Sequence, residues 1–262
     1  MVLDSALEPI FLDYASRDVP DYYFFIYDWR FHKDSTEILL ALKDERIEGM
    51  MLIYNRRTVQ LRGSAEAVKA PLEHVDLEKV RIQAPREHEP IIPSKYRPSR
   101  TREIILMTLR RGEEKFYVKH ATSILTAKDA EEIADLLRQS LEDWAETTAD
   151  QVVASMERGV LWLGIRHNGR IVSVGTAHLV DFGSNIGRVA THSANRGKGY
   201  ATSVVSTLVK EILQRSEYAL IHVLSDNLPA KHIYMKVGFK PYRTYLLMEG
   251  EKVTPECSSQ LV

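Results

Sequence analysis

One stretch of this chain holds the residue types of an anion-binding turn: Val189-Ala-Thr-His-Ser-Ala-Asn-Arg-Gly-Lys-Gly-Tyr-Ala201. A strand-like run enters a turn containing Gly197 and Gly199. Beyond it, Ala201, Val204, Val205, Leu208, Val209, Ile212 and Leu213 recur at helical spacing. The first amides of a helix have no intrahelical partner, and the helix dipole is positive there. Glycines without β-carbons let a phosphate approach the backbone, and Arg196 and Lys198 add side-chain charge. A diphosphate suits such a turn. The dinucleotide fingerprint needs a third glycine where Thr202 stands, and a P-loop needs Ser or Thr where Gly199 stands.

A second constellation follows in Asp226-Asn-Leu-Pro-Ala-Lys-His-Ile-Tyr-Met-Lys-Val-Gly-Phe239. Taken singly, Asn227 reads as a turn or cap residue and Tyr234 as core packing with a satisfied hydroxyl. Gly238-Phe239 reads as a helix stop followed by an anchor. His178 and Asp181, near the end of the preceding hairpin, are candidates by position for accepting a proton; a relayed water is an equal alternative. His178 and His192 taken alone read as structural. The nine histidines show no metal-ligand spacing, so no metal is expected.

In order and spacing, the two stretches resemble the GNAT superfamily of N-acetyltransferases. Arg-Gly-x-Gly-Tyr-Ala between a strand and a long helix looks like its coenzyme A loop. Asn227, Ala230, Tyr234, Gly238 and Phe239 fall on its motif Asn-x-x-Ala-x-x-x-Tyr-x-x-x-Gly-Phe. The likeness covers roughly Ile124 to Met248 and departs at Ala194, where Gln or Arg is usual. It implies acetyl-CoA as cosubstrate. Backbone groups of Val189, Ala190 and Thr191 would pair with the pantetheine arm, the amide near Val189 polarising the thioester carbonyl. Loop amides across Arg196, Gly197, Lys198, Gly199, Tyr200 and Ala201 would take the diphosphate. Asn227 would bond the pantetheine and Tyr234 would protonate the departing thiolate, an ordinary phenol lying close enough in pKa to a thiol. The implied reaction is direct attack of a primary amine, from a small molecule or peptide, on acetyl-CoA in a ternary complex. A non-catalytic module that binds CoA or acyl-CoA is the alternative, and transfer of a longer acyl or aminoacyl group a third reading.

These residues need a scaffold, and the chain suggests an α/β (α+β) one built twice. The second half reads as a helix after Thr126 and Asp129, a hairpin turning at Asn168-Gly169, a strand ending near Thr191, the long helix, a strand at Ala219 to Leu224 and a short helix. The first half reads as strands at Glu37 to Leu42, Ile47 to Tyr54 and Thr58 to Leu61, a helix from Ser64 that Pro71 should end or kink, then strands near Val80 and at Ile104 to Leu109. Arg97-Pro-Ser-Arg-Thr and Lys240-Pro-Tyr-Arg-Thr precede matching apolar runs, and Arg62-Gly63 mirrors Arg196-Gly197. Two tandem GNAT-like units are therefore expected, each a mixed, mostly antiparallel sheet flanked by helices. The N-terminal unit is assigned to 1–118, the catalytic unit to 119–253 and a flexible tail to 254–262. In the first unit Glu66 stands where a phosphate would sit, and the Asn and Tyr pattern is missing, so this copy is expected to have lost its coenzyme. The aromatic run Tyr22 to Trp29 reads as its core, or else as a wall of the acceptor pocket.

Composition bounds the function further. The chain has 262 residues, 44% hydrophobic and 27% charged, the balance of a globular protein. With 35 basic against 36 acidic residues it has no global field to gather nucleic acid, and no apolar run suits a membrane span. Met1-Val-Leu-Asp-Ser lacks the basic patch and apolar core of a secretory leader. The single cysteine, Cys257, excludes an internal disulfide and thiolate metal clusters, which agrees with a cytoplasmic protein. The oligomeric state is not legible.

Overall fold

The computed structural model describes residues 1–253, so the expected tail at 254–262 lies outside the described residues. The elements in chain order are α1 (Glu8–Ser16), α2 (Val19–Phe31), β1 (Thr36–Lys43), β2 (Arg46–Tyr54), β3 (Thr58–Gly63), α3 (Ala65–His74), β4 (Lys79–Ala84) and β5 (Tyr96–Arg110). There follow β6 (Ser123–Ile124), α4 (Ala130–Arg138), α5 (Ala149–Glu157), β7 (Leu161–His167), β8 (Arg170–His178), β9 (Ser184–Thr191), α6 (Tyr200–Leu213), β10 (Tyr218–Leu224), α7 (Leu228–Val237) and β11 (Lys240–Lys252).

Two compact units emerge. The first comprises Met1–Ile105, Leu224–Asp226 and the chain from Arg243; the second comprises Leu106–Val223 and Asn227–Tyr242. This division differs from the expected boundary at 118/119 in two main places: Leu106 to Val118 fall in the second unit, and the described chain from Arg243 falls in the first. Leu246 to Glu251 pair antiparallel with Ala84 to Lys79, so β11 joins the first unit although it follows the second in sequence.

Each unit repeats one order of elements. Two helices precede three antiparallel strands, a helix crosses over, and a further strand returns parallel to the third. In the first unit β1 pairs with β2 and β2 with β3 antiparallel, while β3 and β4 run parallel. In the second, β7–β8 and β8–β9 are antiparallel and β9–β10 parallel. The repeat hinted at by short sequence matches is a repeat of topology.

The N-terminal helices were not legible as such. Tyr22 to Trp29 forms most of α2, which Asp18 caps by accepting the Asp21 amide. Tyr23, Phe25, Ile26 and Trp29 are buried there, so the aromatic run is mainly core, with period-2 and period-3.6 patterns blurred because nearly every side is apolar. Pro71 does not break α3 at once; the helix ends at His74, three residues later. In the second unit the Thr126–Asp129 capping box forms as expected. Ile133, Ala134 and Leu137 of α4 pack with Trp162, Val174 and Ala190 on one face of the sheet. On the other face a β-carbon at Gly175 would press on Val204 and Leu208 of α6.

Burial within α2 has a pH consequence. Desolvation pushes the Asp28 carboxyl up to about 7. Its folded pKa lies above the unfolded one, so its contribution to stability is complete at low pH and is lost as pH rises from about 4 through 7. Asp28→Asn should remove that loss, on the order of 4 kcal/mol. Urea midpoints at pH 5 and pH 8 should lie closer together in the variant than in the wild type.

Candidate active site

The site is created by a ladder that stops. β9 and β10 pair only at Ser184–Ala219, Asn185–Leu220 and Ile186–Ile221, yet β9 continues to Thr191 and β10 to Leu224. Beyond Ile186 the strands diverge and leave backbone groups facing a gap. The amide of His192 donates to the Val172 carbonyl on β8. Because antiparallel pairing alternates, Ala190 also turns its amide and carbonyl to β8, while Val189 and Thr191 turn theirs to the gap. Of the three residues assigned to pantetheine pairing, Val189 and Thr191 turn their backbone groups toward the gap. Ala190 does not; its backbone is spent on β8.

From the gap the chain enters the glycine loop. Gly197 and Gly199 have φ of 76° and 89°, which side chains other than glycine rarely adopt, and nothing lies within 4 Å of a β-carbon placed on Gly197. Gly199 is the N-cap of α6 and no side chain caps that helix. The first-turn amides of Tyr200 and Ala201 are therefore directed outward from an open turn. Arg196 and Lys198 are exposed; the Arg196 Nε donates to the Thr191 carbonyl (3.4 Å) and the Lys198 Nζ to the Ala194 carbonyl (3.2 Å). Both cations are held against the loop they flank. Ala194, the departure from the family pattern, uses its amide in a bond to the His192 Nδ1, a local turn contact needing no particular side chain.

A segment the sequence did not single out lies along α6. The amides of Lys119 and His120 both donate to Ser203 Oγ (3.1 and 3.3 Å), and that of Tyr117 to Ser206 Oγ (3.1 Å). His120 Nε2 is 3.0 Å from the Lys198 carbonyl, and its ring lies 4.3 Å from that of Tyr200. The small polar residues of α6 hold this strap, and no side-chain periodicity in 113–122 announces it.

On α7, Asn227 caps the helix by accepting the Ala230 amide (3.2 Å), which leaves its own amide group to donate elsewhere. Tyr234 lies two turns later on nearly the same side. It is buried edge-on against Phe239, and burial raises its phenol well above the ordinary value. The phenol stays protonated, as an acid must, but it is a weaker acid than the sequence suggested. His178 pairs with Asn185 at the end of β8 and is half-buried, whereas Asp181 lies exposed in the following turn. The two base candidates are thus unequal: one faces the sheet and the other water. Asn185 Oδ1 in turn lies 3.4 Å from His222 Nδ1 on β10.

The first unit shows the same geometry filled in. β3 and β4 also pair at only three positions, Thr58–Arg81, Val59–Ile82 and Gln60–Gln83. Beyond them Arg62 occupies the gap, fully buried. Its Nε bonds Asp21 (2.6 Å), its Nη1 the Leu61 carbonyl (2.8 Å), and its guanidinium stacks 4.1 Å from the Tyr245 ring. His88 takes the Gly63 carbonyl (2.8 Å). No loop separates strand from helix here: Gly63, at φ 94°, is followed by Ser64, whose side chain caps the Ala67 amide. A β-carbon at Gly63 would lie 2.2 Å from the Glu48 carbonyl, so the turn is sealed against backbone. Of the charges lining the adjoining cavity of about 480 Å³, Arg62, Asp21, Asp18 and Arg243 pair among themselves and Arg17 pairs with Asp13, while Glu87 also lines it. Among the described residues no cluster of His, Cys, Asp or Glu could hold a metal, and no helix is long and apolar enough to cross a membrane.

Comparison with known proteins bears on this geometry. Residues 162–248, which include the gap, the loop and α7, match the FR47-like protein family. A Drosophila protein of known structure superposes with a TM-score of 0.73 at 12% identity, over 97% of this chain and 98% of that one. A GNAT-family acetyltransferase from Colwellia psychrerythraea gives 0.57 at 12% identity, over 96% and 99%. A tandem GNAT protein from the clavulanic acid biosynthesis pathway gives 0.52 at 12% identity, over 87% and 86%. The chain has the tandem GNAT fold. At these identities the likeness speaks for architecture, and no curated protein matches the sequence.

Within this GNAT fold the strap gives a direct test. Ser203→Ala removes the acceptor shared by Lys119 and His120, and their amides should exchange with deuterium about tenfold faster or more, while β8 amides keep their protection.

Proposed function

We propose that the second unit is an acetyl-CoA-dependent N-acetyltransferase acting on a primary amine. The observation that carries this reading is the open gap beyond Ile186, continuous in sequence with an uncapped glycine turn at the start of α6. The pantetheine arm would enter the gap as an added strand on Val189 and Thr191. The diphosphate would rest on the amides from Gly197 to Ala201, with Arg196 and Lys198 beside it. The residues present suit that cosubstrate: both glycines hold the left-handed backbone the turn needs, and nothing occupies the space above Gly197.

The chemistry then runs as direct transfer. An acceptor arriving as an ammonium loses one proton, and the neutral nitrogen attacks the thioester carbon. The carbonyl oxygen becomes an oxyanion facing the Val189 amide. Collapse forms the amide bond, breaks the carbon–sulfur bond and releases a second proton from nitrogen, while the thiolate takes a proton from Tyr234. Reprotonation of Tyr234 leaves a net release of one proton per turnover. Burial makes the phenol reluctant to ionise, and exclusion of water would raise the pKa of a thiol in the same place in the same direction. His178 is favoured over Asp181 as the first proton acceptor, because it lies on the sheet and is partly withdrawn from water. The first unit serves as a structural copy whose gap is filled by its own Arg62.

Gly197→Glu should abolish acetyl-CoA binding in calorimetric titration, and absence of binding to the wild type would end this reading. Tyr234→Phe should lower turnover about a hundredfold while coenzyme affinity stays within about twofold. Binding without thiol release across a broad amine panel would identify a coenzyme-binding regulatory module instead.

A further inference from the structure

Arg188 lies on β9 beside the gap and takes no part in the chemistry above. It is half-buried, and among the described residues its guanidinium has no hydrogen bond or ion pair. Elsewhere in this unit Arg110, Arg138 and Arg166 each meet a carboxylate, while Arg158, Arg170 and Arg215, which meet none among the described residues, are exposed to water. Desolvation alone moves Arg188, lowering its pKa with no opposing partner. A guanidinium drawn out of water without a counter-charge is costly, and in binding sites that cost is offset by the anion it receives.

The register places this side chain. Gly175 faces α6, and its partner Val189 shares that face. Between the Gly175–Val189 and Ala177–Ile186 pairs, β8 has one residue, Thr176, where β9 has two, Gly187 and Arg188. Thr176 Oγ1 accepts the Arg188 amide (2.9 Å) across this bulge. Arg188 therefore lies on the face opposite α6, the face that also carries Thr176 and the His178–Asn185 pair, with Asn185 reaching His222. Further along that face the core of α4 and α5 takes over at Ala190 and Val174. The coenzyme loop opens at the start of α6, so this polar patch is left for the acceptor.

We propose that Arg188 binds a carboxylate of the acceptor, and that the acceptor is accordingly an amino acid; this rests on the second unit being the acetyltransferase described above. Arg188 and Val189 are consecutive, about 3.8 Å apart at Cα. An α-amino acid holds its nitrogen two bonds from its carboxyl carbon. A carboxylate forked by Arg188 thus keeps the amine close to a thioester whose carbonyl faces the Val189 amide, with His178 on the same face to take the proton. An arginine suits this role because its planar fork grips a carboxylate in one orientation.

The test compares glycine, alanine, glutamine and phenylalanine, each beside its carboxamide, as acceptors with saturating acetyl-CoA. At least one acid should exceed its amide about tenfold or more in kcat/KM. Arg188→Gln should erase that preference by raising KM for the acid and leaving the amide unchanged, and Arg188→Lys should restore part of it. Equal use of acid and amide by the wild type overturns the proposal, as does a variant that loses both alike while still binding acetyl-CoA. Acetylation of spermidine or a peptide lysine with no acid used also overturns it. A preference for succinyl-CoA over acetyl-CoA that Arg188→Gln removes would assign the carboxylate to the acyl chain, again against the proposal. If acetyl-CoA does not bind at all, the transferase reading fails separately. Titration of the same acids into the coenzyme-free protein then decides: binding lost in Arg188→Gln supports the carboxylate site, and no binding refutes it.

Discussion

The candidate site of this chain is built on a parallel ladder that ends after three pairs. Parallel strands normally continue pairing for as long as both are extended, since each unpaired amide or carbonyl withdrawn from water costs free energy. Here β9 and β10 part beyond Ile186 and Ile221. The bulge at Gly187–Arg188 assists by turning β9 away while β8 remains paired to it. The separation exposes the alternate backbone groups of Val189 and Thr191 and sends the chain into the glycine turn. One geometric event thus sets an unpaired strand edge beside an open helix start.

The two units differ in how the backbone beyond such a ladder is satisfied. In the first, the same three-pair ladder ends at Gln60 and Gln83, and the backbone beyond it is satisfied from within. Arg62 fills the space, neutralised by Asp21, which also accepts from the Tyr245 hydroxyl, and His88 closes on Gly63. A buried ion pair of this kind is weak evidence for net stability, but removing either partner would strand a charge. The sealed turn at Gly63–Ser64 completes the contrast with the open loop before α6. In the first copy, interior side chains satisfy the backbone that the second leaves facing its gap.

Partnered and unpartnered charge divides the two units in the same way. Arg62 is the more deeply buried arginine and is fully bonded; Arg188 is half-buried and has no partner among the described residues. Each sits at the end of a ladder of the same length, one at the edge of a filled gap and one at the edge of an open one. The strap over α6 belongs to this picture too, since Ser203 and Ser206 turn part of a helix surface into a set of acceptors. It brings His120 against the loop at Lys198 and Tyr200.

The sequence by itself determined the glycine turn, the long helix after it and the motif on α7, because those depend on short-range rules: left-handed backbone at Gly197 and Gly199, helical periodicity, and a cap seven residues before Tyr234. It also carried the repeat, through the strand and helix order common to both halves. Other features arise only in three dimensions. The return of β11 to the first unit depends on pairing with β4 across more than half the chain, a contact no local pattern encodes. That Ala190 spends its backbone on β8 while Val189 and Thr191 do not follows from register, not composition. Helix α2 escaped notice because apolar residues lie on every side of it and its acids are themselves buried, so no apolar–polar periodicity marks it, and the strap because its bonds run from backbone to the side chains of another element. Arg188 was one residue outside the stretch that drew attention. That its guanidinium meets no partner among the described residues is a fact of three-dimensional placement, which no local pattern encodes.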